Sequence, residues 1–291
     1  MVSWMEGAKD GVLSHHMPPG DGATAARIVE AIWAVLRGAT KGSFAELDRA
    51  VRGTQVVAEV DQVLAKVLER GPAADRLHKL ALVLCTEAPE RELVKLGISL
   101  MGLFPGEEDV GLLTDLGTHD EFTIFAVVAL KSKLGPGSEP FIFDIARRTE
   151  GWGRISAVER LADTSDPEIR SWMLRGGFRN SIMDEYLALT CARAGRLAEA
   201  LALPTVDEEL LEGVSDMLAA MARGGPGPGM EAYEQTAAAL TAWIGHLEHH
   251  ALTIKRLAAL DDVAAFLQSR PKDAALWDRI EARRNVKNTP K

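Results

Sequence analysis

Cysteine, tyrosine and excess positive charge are all scarce in this chain. Cys85 and Cys191 are the two cysteines of 291 residues, and no CxxC pair exists. Neither a disulfide framework nor a cysteine-built zinc site is indicated, and both thiols read as buried and reduced. Lys and Arg number 33 against 42 Asp and Glu, for a formal charge of −9. A general binder of phosphate backbones carries the opposite imbalance. No apolar run approaches the length of a membrane span. The first 22 residues lack a basic segment followed by an apolar core, so they do not read as a secretory signal. A cytoplasmic protein is the expectation. Strand signals are nearly absent: β-prone Phe122-Thr123-Ile124-Phe125 runs directly into Ala126, Val127, Ala129 and Leu130, which favours helix.

What is present is helical periodicity in a composition of ordinary globular balance. Residues 1–22 read as a disordered lead, with Gly, Pro and His in no period. The first helix starts at 24, with Ile28, Ile32, Val35 and Leu36 buried and Gly38 as its stop. Ser43 caps a short segment holding Phe44, Leu47 and Val51. Further helices are expected over 56–69, 76–85, 90–103, 107–116, 120–134 and on to about 148. Beyond 197 they are expected over 207–223, 230–250, 253–268 and 273–284, with the Gly/Pro run 224–229 as a turn-rich joint. About fourteen short helices with loops of a few residues force neighbours antiparallel. Such pairs stack most simply as an α-α superhelix. The expected organisation is a solenoid over 23–223, with the 230–284 helices continuing or capping it.

The most informative stretch is 151–197. Ile155, Val158 and Leu161 recur at helical spacing. Asp163-Thr164-Ser165-Asp166 breaks the pattern with residues that bond their own backbone. Asp166 is a good N-cap, and Pro167 at the first helical position loses nothing by lacking an N–H. Ile169, Trp172 and Met173 stripe the next helix until Gly176-Gly177. Met183, Tyr186, Leu187, Thr190, Cys191, Ala194 and Leu197 then fall on one face of a third. A shift of 31 positions aligns Ala126 with Ala157, Leu130 with Leu161, Pro136 with Pro167 and Phe143 with Leu174.

Residues 154–174, with Ala157, Leu161, Asp166 and Pro167, resemble a HEAT-type (armadillo-like) repeat unit, in which a helix leads through an Asp-Pro turn into a second. The likeness is weaker over 120–148, where the turn is Gly-Pro. The resemblance implies a helical scaffold that binds proteins or peptides along a curved surface, and it supplies no catalytic residue. A similar branch, the AlkD-like alkylpurine DNA glycosylases, binds damaged DNA instead.

Two clusters are candidates for chemistry. Arg147, Arg148, Arg154, Arg160, Arg170, Arg175 and Arg179 gather around Trp152 and Trp172, a pairing suited to phosphate or peptide recognition. Five acidic residues interleave with them. Trp172 shares the stripe of Ile169 and Met173, whereas Trp152, between Gly151 and Gly153, reads as the more exposed aromatic. Asp184 and Glu185 lie off their helix stripe, although acids near a helix start need no further role than matching the dipole. His246 and His250, four apart with His249 between, could chelate a metal. They match neither HExxH nor HxxEH, and a solvated face accounts for them. Gly38-Ala39-Thr40-Lys41-Gly42-Ser43 lacks the order of a phosphate-binding loop.

The functional expectation is a non-catalytic protein- or peptide-binding scaffold with no cofactor. Its binding residues would be Trp152, Arg154, Arg170, Arg175 and Arg179, with Asp184 and Glu185. One alternative is a DNA-binding alkylbase glycosylase, disfavoured by the net charge. Another is a metal-dependent helical enzyme using His246, His249 and His250.

Overall fold

A computed structural model describes residues 7–16, 22–268 and 274–285. They are all-helical, with no strand among the described residues. The chain divides into two compact units, residues 1–157 and 158–291. The division falls inside the stretch that resembles a HEAT repeat, not at the glycine- and proline-rich run 224–229 where a joint was expected. The helices on either side of that run belong to one unit.

In the first unit the helices are α1 (Ala8–His16), α2 (Ala23–Arg37), α3 (Lys41–Val51), α4 (Val56–Glu69), α5 (Ala74–Glu87), α6 (Arg91–Met101), α7 (Val110–Gly117), α8 (Thr123–Leu134) and α9 (Glu139–Arg148). Helix α10 (Gly151–Glu159) crosses the division. Successive helices pair as α2 with α3, α5 with α6 and α7 with α8. The even members also meet in a row, α2 on α4, α4 on α6 and α6 on α8. Apolar stripes explain the row: Ile28, Ile32, Val63, Val67, Leu96, Ile98, Leu100, Ala126 and Leu130 are almost fully enclosed. The expectation of a structureless lead does not hold over 8–16, which form α1. The rest of that lead, apart from Gly7 and Gly22, lies outside the described residues.

The polar centre of this unit is Lys95 on α6, 1% exposed. Its ammonium lies 2.5 Å from Asp10 Oδ2, 2.7 Å from Glu92 Oε1 and 2.6 Å from Glu121 Oε1. Two of these carboxylates reach further. Glu92 Oε2 accepts the Val56 N–H at the start of α4, and Glu121 Oε2 accepts the Gly7 N–H before α1, each at 3.0 Å. One cation thereby ties α1, α4, α6 and the loop before α8. The helix expected from 120 begins at Thr123 with no side-chain cap, and Glu121 in the loop before it holds Lys95 and the Gly7 N–H.

The second unit holds α11 (Pro167–Trp172), a π turn (Met173–Gly177), α12 (Ala188–Ala194), α13 (Leu197–Leu201), α14 (Glu208–Arg223), α15 (Thr236–His249), α16 (Ile254–Gln268) and α17 (Ala274–Arg284). The Asp166 carboxylate caps α11 as expected, accepting the N–H groups of Glu168 and Ile169. The third helix expected within 151–197 differs. Asn180 folds its side chain onto the 178–183 loop through bonds to Phe178, Ile182 and Met183, so helix starts only at Ala188. Met183 is exposed as a result. Helix α14 is the hub, packing on the π turn, α12 and α16. A Cβ at Gly213 would come within 2.5 Å of the Leu174 carbonyl, so the close approach of α14 to the π turn requires glycine. Trp243, fully buried, donates its indole N–H to Ser215 Oγ at 2.9 Å. Cys85 and Cys191 are buried free thiols, and burial pushes the Cys85 thiol up to about 12.

Replacing Lys95 by Met leaves three carboxylates without their shared cation. Losing one partner of a buried ion pair costs about 3–5 kcal/mol. Lys95→Met is expected to lower the urea midpoint of the first unit by a corresponding amount, and an unchanged midpoint would refute the central role of this ammonium.

Candidate binding groove

An open concavity of the first unit lies where α2 ends, α3 begins and α5 passes beside them. Its volume is about 360 Å³, within the usual range of ligand clefts. Gly38 ends α2 in an extended conformation. A capping box then starts α3: Thr40 Oγ1 accepts the Ser43 N–H at 3.1 Å, and Ser43 Oγ accepts the Thr40 N–H at 3.0 Å. Ser43 Oγ also donates to the Gly38 carbonyl at 2.8 Å. These bonds fix the 38–40 connection as one wall.

Val35, Leu36, Phe44, Leu80 and Val83 make an apolar floor, and Arg37, Arg76 and Lys79 make the rim. Among the described residues no carboxylate lines the groove. Arg76 is positioned by donating Nη1 to the Leu36 carbonyl at 3.2 Å, a favourable place for a cation at a helix C-terminus. All three rim cations are exposed. Arg37 and Lys79 make no ion pair among the described residues.

The residues expected to bind lie elsewhere. Trp152 is 6% exposed, and its indole lies against Gly11 of α1. It is therefore not an open aromatic, and the correction follows from α1 docking where no structure was expected. Arg154 gives Nε to the Ala146 and Thr149 carbonyls at 3.1 and 2.8 Å, closing the end of α9. Arg170 spends Nε and Nη2 on the Thr164 carbonyl at 3.1 and 2.8 Å. Arg175 forms a fork with Asp207 at 2.5 and 2.7 Å. Arg179 reaches Asp216 at 2.5 Å and the Arg175 carbonyl at 2.9 Å. Glu185 accepts from Arg223 at 3.0 Å. Asp184 accepts the Asn180 N–H at 3.1 Å, and burial pushes its carboxyl up. Asp184 and Glu185 do share an environment with Arg179 and Arg223. Trp152 and Arg154 belong to the other unit.

The C-terminal histidines do not build a metal centre. His246 Nε2 is 2.9 Å from the Leu201 carbonyl and His250 Nδ1 2.8 Å from the His246 carbonyl. Both nitrogens donate there and leave the other ring nitrogen its lone pair, but no group of three donor atoms within 4.8 Å among the described residues includes either histidine. Among the described residues, donor atoms gather within 4.8 Å at His78, Glu108 and Asp109 and at Asp10, Glu92 and Glu121. In the second group the Lys95 ammonium already sits between the oxygens. In the first, His78 Nε2 and Asp109 Oδ2 are 2.7 Å apart, a hydrogen-bonded contact that staples α5 to the start of α7.

Compared with protein-family models, with curated proteins and with solved structures, the chain matches none. No helix among the described residues is long and apolar enough to cross a membrane.

The Arg175–Asp207 fork makes a pH statement. Hydrogen bonding from Arg175, then from the Leu210 N–H, holds the Asp207 carboxyl at about 2. A depressed carboxylate contributes stability above its ordinary range, and that contribution is lost as pH falls through the depressed value. An NMR carboxyl titration should place the Asp207 midpoint near 2, with Arg175→Met returning it towards the ordinary range. A midpoint indifferent to Arg175 would overturn this account.

Proposed function

We propose that this chain is a non-catalytic helical scaffold whose α2–α3–α5 groove binds an acidic segment of a partner protein carrying an apolar anchor. The observation that carries the reading is the pairing of an apolar floor with a rim of Arg37, Arg76 and Lys79 and no lining acid. Apolar burial supplies affinity there, and unpaired cations select the sign of the ligand. The row α2–α4–α6–α8 supports stacking in the manner of an α-solenoid within the first unit, as in other proteins built from repeated helix pairs.

The other readings draw less support. A DNA-base glycosylase needs cations free for phosphates and an aromatic open to an altered base. Arg154, Arg170, Arg175 and Arg179 are instead engaged by carbonyls and carboxylates of this chain, and Trp152 is covered. The metal-dependent reading draws no support, since no group of three donor atoms within 4.8 Å among the described residues includes His246, His249 or His250.

The test is fluorescence anisotropy with a labelled amphipathic peptide of Leu and Glu, beside its Leu and Lys counterpart. The acidic peptide is expected to bind, with affinity falling as salt rises. Arg37→Glu with Lys79→Glu should weaken it by roughly tenfold or more while leaving the circular dichroism spectrum intact. Equal affinity for the two peptides, or no loss in the double variant, would remove the groove from the function.

A further inference from the structure

We propose that α1 is a releasable strap over Trp152, held in a seat with one carboxylate too many, so that docking strengthens when the seat gains a proton. Among the described side chains of α1 the most deeply buried is Asp10, at 2% exposure, whereas its apolar Val12 and Leu13 are only half-buried. The strap is therefore gripped by polar contacts more than by a hydrophobic face. Those contacts are the Asp10–Lys95 pair and the Gly7 N–H bond to Glu121.

The charge inventory of the seat does not balance. Helix α6 supplies Lys95 and Glu92, the loop before α8 supplies Glu121, and α1 adds Asp10, so one ammonium faces three carboxylates. Arg91 reaches only Glu121, at 3.4 Å, from a largely exposed position. The Asp120 backbone lies beside Gly7 while its carboxylate is turned to Gly153, and α4, which also packs on α1, contributes buried Glu59 and no buried cation among the described residues. From α10 the contact is the uncharged Trp152 ring. Asp10 Oδ1 is buried without a hydrogen-bond partner. An unsatisfied buried carboxylate oxygen is costly, and a proton on Asp10 reduces that cost.

The directions of titration agree with the geometry. Burial, the largest influence, lifts the Asp10 carboxyl despite Lys95. A docked strap therefore holds this proton more tightly than a free one, and docking weakens as pH rises through the lifted value. Glu121 runs the other way: burial raises it, but the Gly7 N–H and Lys95 outweigh burial and hold it down. Its contribution is lost as pH falls through that depressed value. Docking thus loosens as pH rises through the lifted Asp10 value and loses the Glu121 contribution as pH falls through the depressed one. Release uncovers the Trp152 indole, which lies against Gly11, and tryptophan is a common anchor for partners.

The test uses hydrogen exchange on the full chain, as protection factors for residues 8–16 over the whole pH range in which α2–α9 stay protected. The wild type should lose protection towards the upper end. Asp10→Asn, of the same shape without the charge, should raise protection there several-fold and flatten the pH dependence. Protection in Asp10→Asn equal to or below wild type at the upper end would overturn the proposal. A Cβ at Gly11 would come within 2.3 Å of the Trp152 ring, so Gly11→Leu should lift the strap. Residues 8–16 should then lose protection while α2–α9 keep theirs, and acrylamide should quench added fluorescence that vanishes on combination with Trp152→Phe. Unchanged quenching with α1 still protected would also overturn it. Should Gly11→Leu fail to fold, the Asp10→Asn comparison decides alone.

Discussion

One ammonium group organises the first unit. Lys95 sits where an apolar side chain would fit the α6 stripe, and it draws Asp10, Glu92 and Glu121 into the interior with it. Burial by itself would drive the proton off this lysine. The charges of Asp10 and Glu92, with hydrogen bonds to Asp10 and Glu121, outweigh burial and hold its proton more firmly than in water. Because two of those carboxylates also accept backbone N–H groups, the cation sets the start of α4 and the seat of α1 as well as its own surroundings. A hydrophobic residue at this position could fill the space but could not fix those orientations. Buried ions that specify arrangement at some cost in stability are a recognised pattern, and the three-to-one ratio here places that cost on α1.

The same accounting separates structural cations from available ones. Arginine is abundant around 147–179, yet the geometry spends it internally, on carbonyls at helix ends and on carboxylates of neighbouring helices. Arg37 and Lys79 are unremarkable in sequence, yet they rim the groove and make no ion pair among the described residues. Local abundance in sequence is therefore a poor guide to binding, because a guanidinium with a partner at 2.5 Å must give up that bond to take a ligand.

Much of the fold was legible because it follows from local periodicity and punctuation. The stripe of α2, the Asp166 cap and the Pro167 start all appear in the structure as they read in the chain. What was not legible depends on contacts distant in sequence. Helix α1 has two glycines and a buried aspartate nearby and no apolar stripe, so nothing local marks it as docked. The helix expected from Met183 was diverted by Asn180, whose side chain satisfies the loop backbone in competition with the helix. The groove draws its rim from α2 and α5, some forty residues apart, so no motif could contain it. Its only local trace is Arg76 and Lys79, three apart on α5 with Val83 one turn on, a cationic edge beside an apolar row.

A net charge of −9 does not contradict an acid-selective groove. At physiological salt, exposed charges are screened beyond about 8 Å. The acids elsewhere on the surface therefore act weakly on a ligand already seated, while Arg37, Arg76 and Lys79 act at contact distance. Their unpaired state is what matters, since an anion arriving there displaces no internal partner from Arg37 or Lys79. The first unit thus keeps two unbalanced charges of opposite sign. A surplus of negative charge is enclosed under α1, where only a proton relieves it, and a surplus of positive charge is open on the α2–α5 rim, where an acidic partner can.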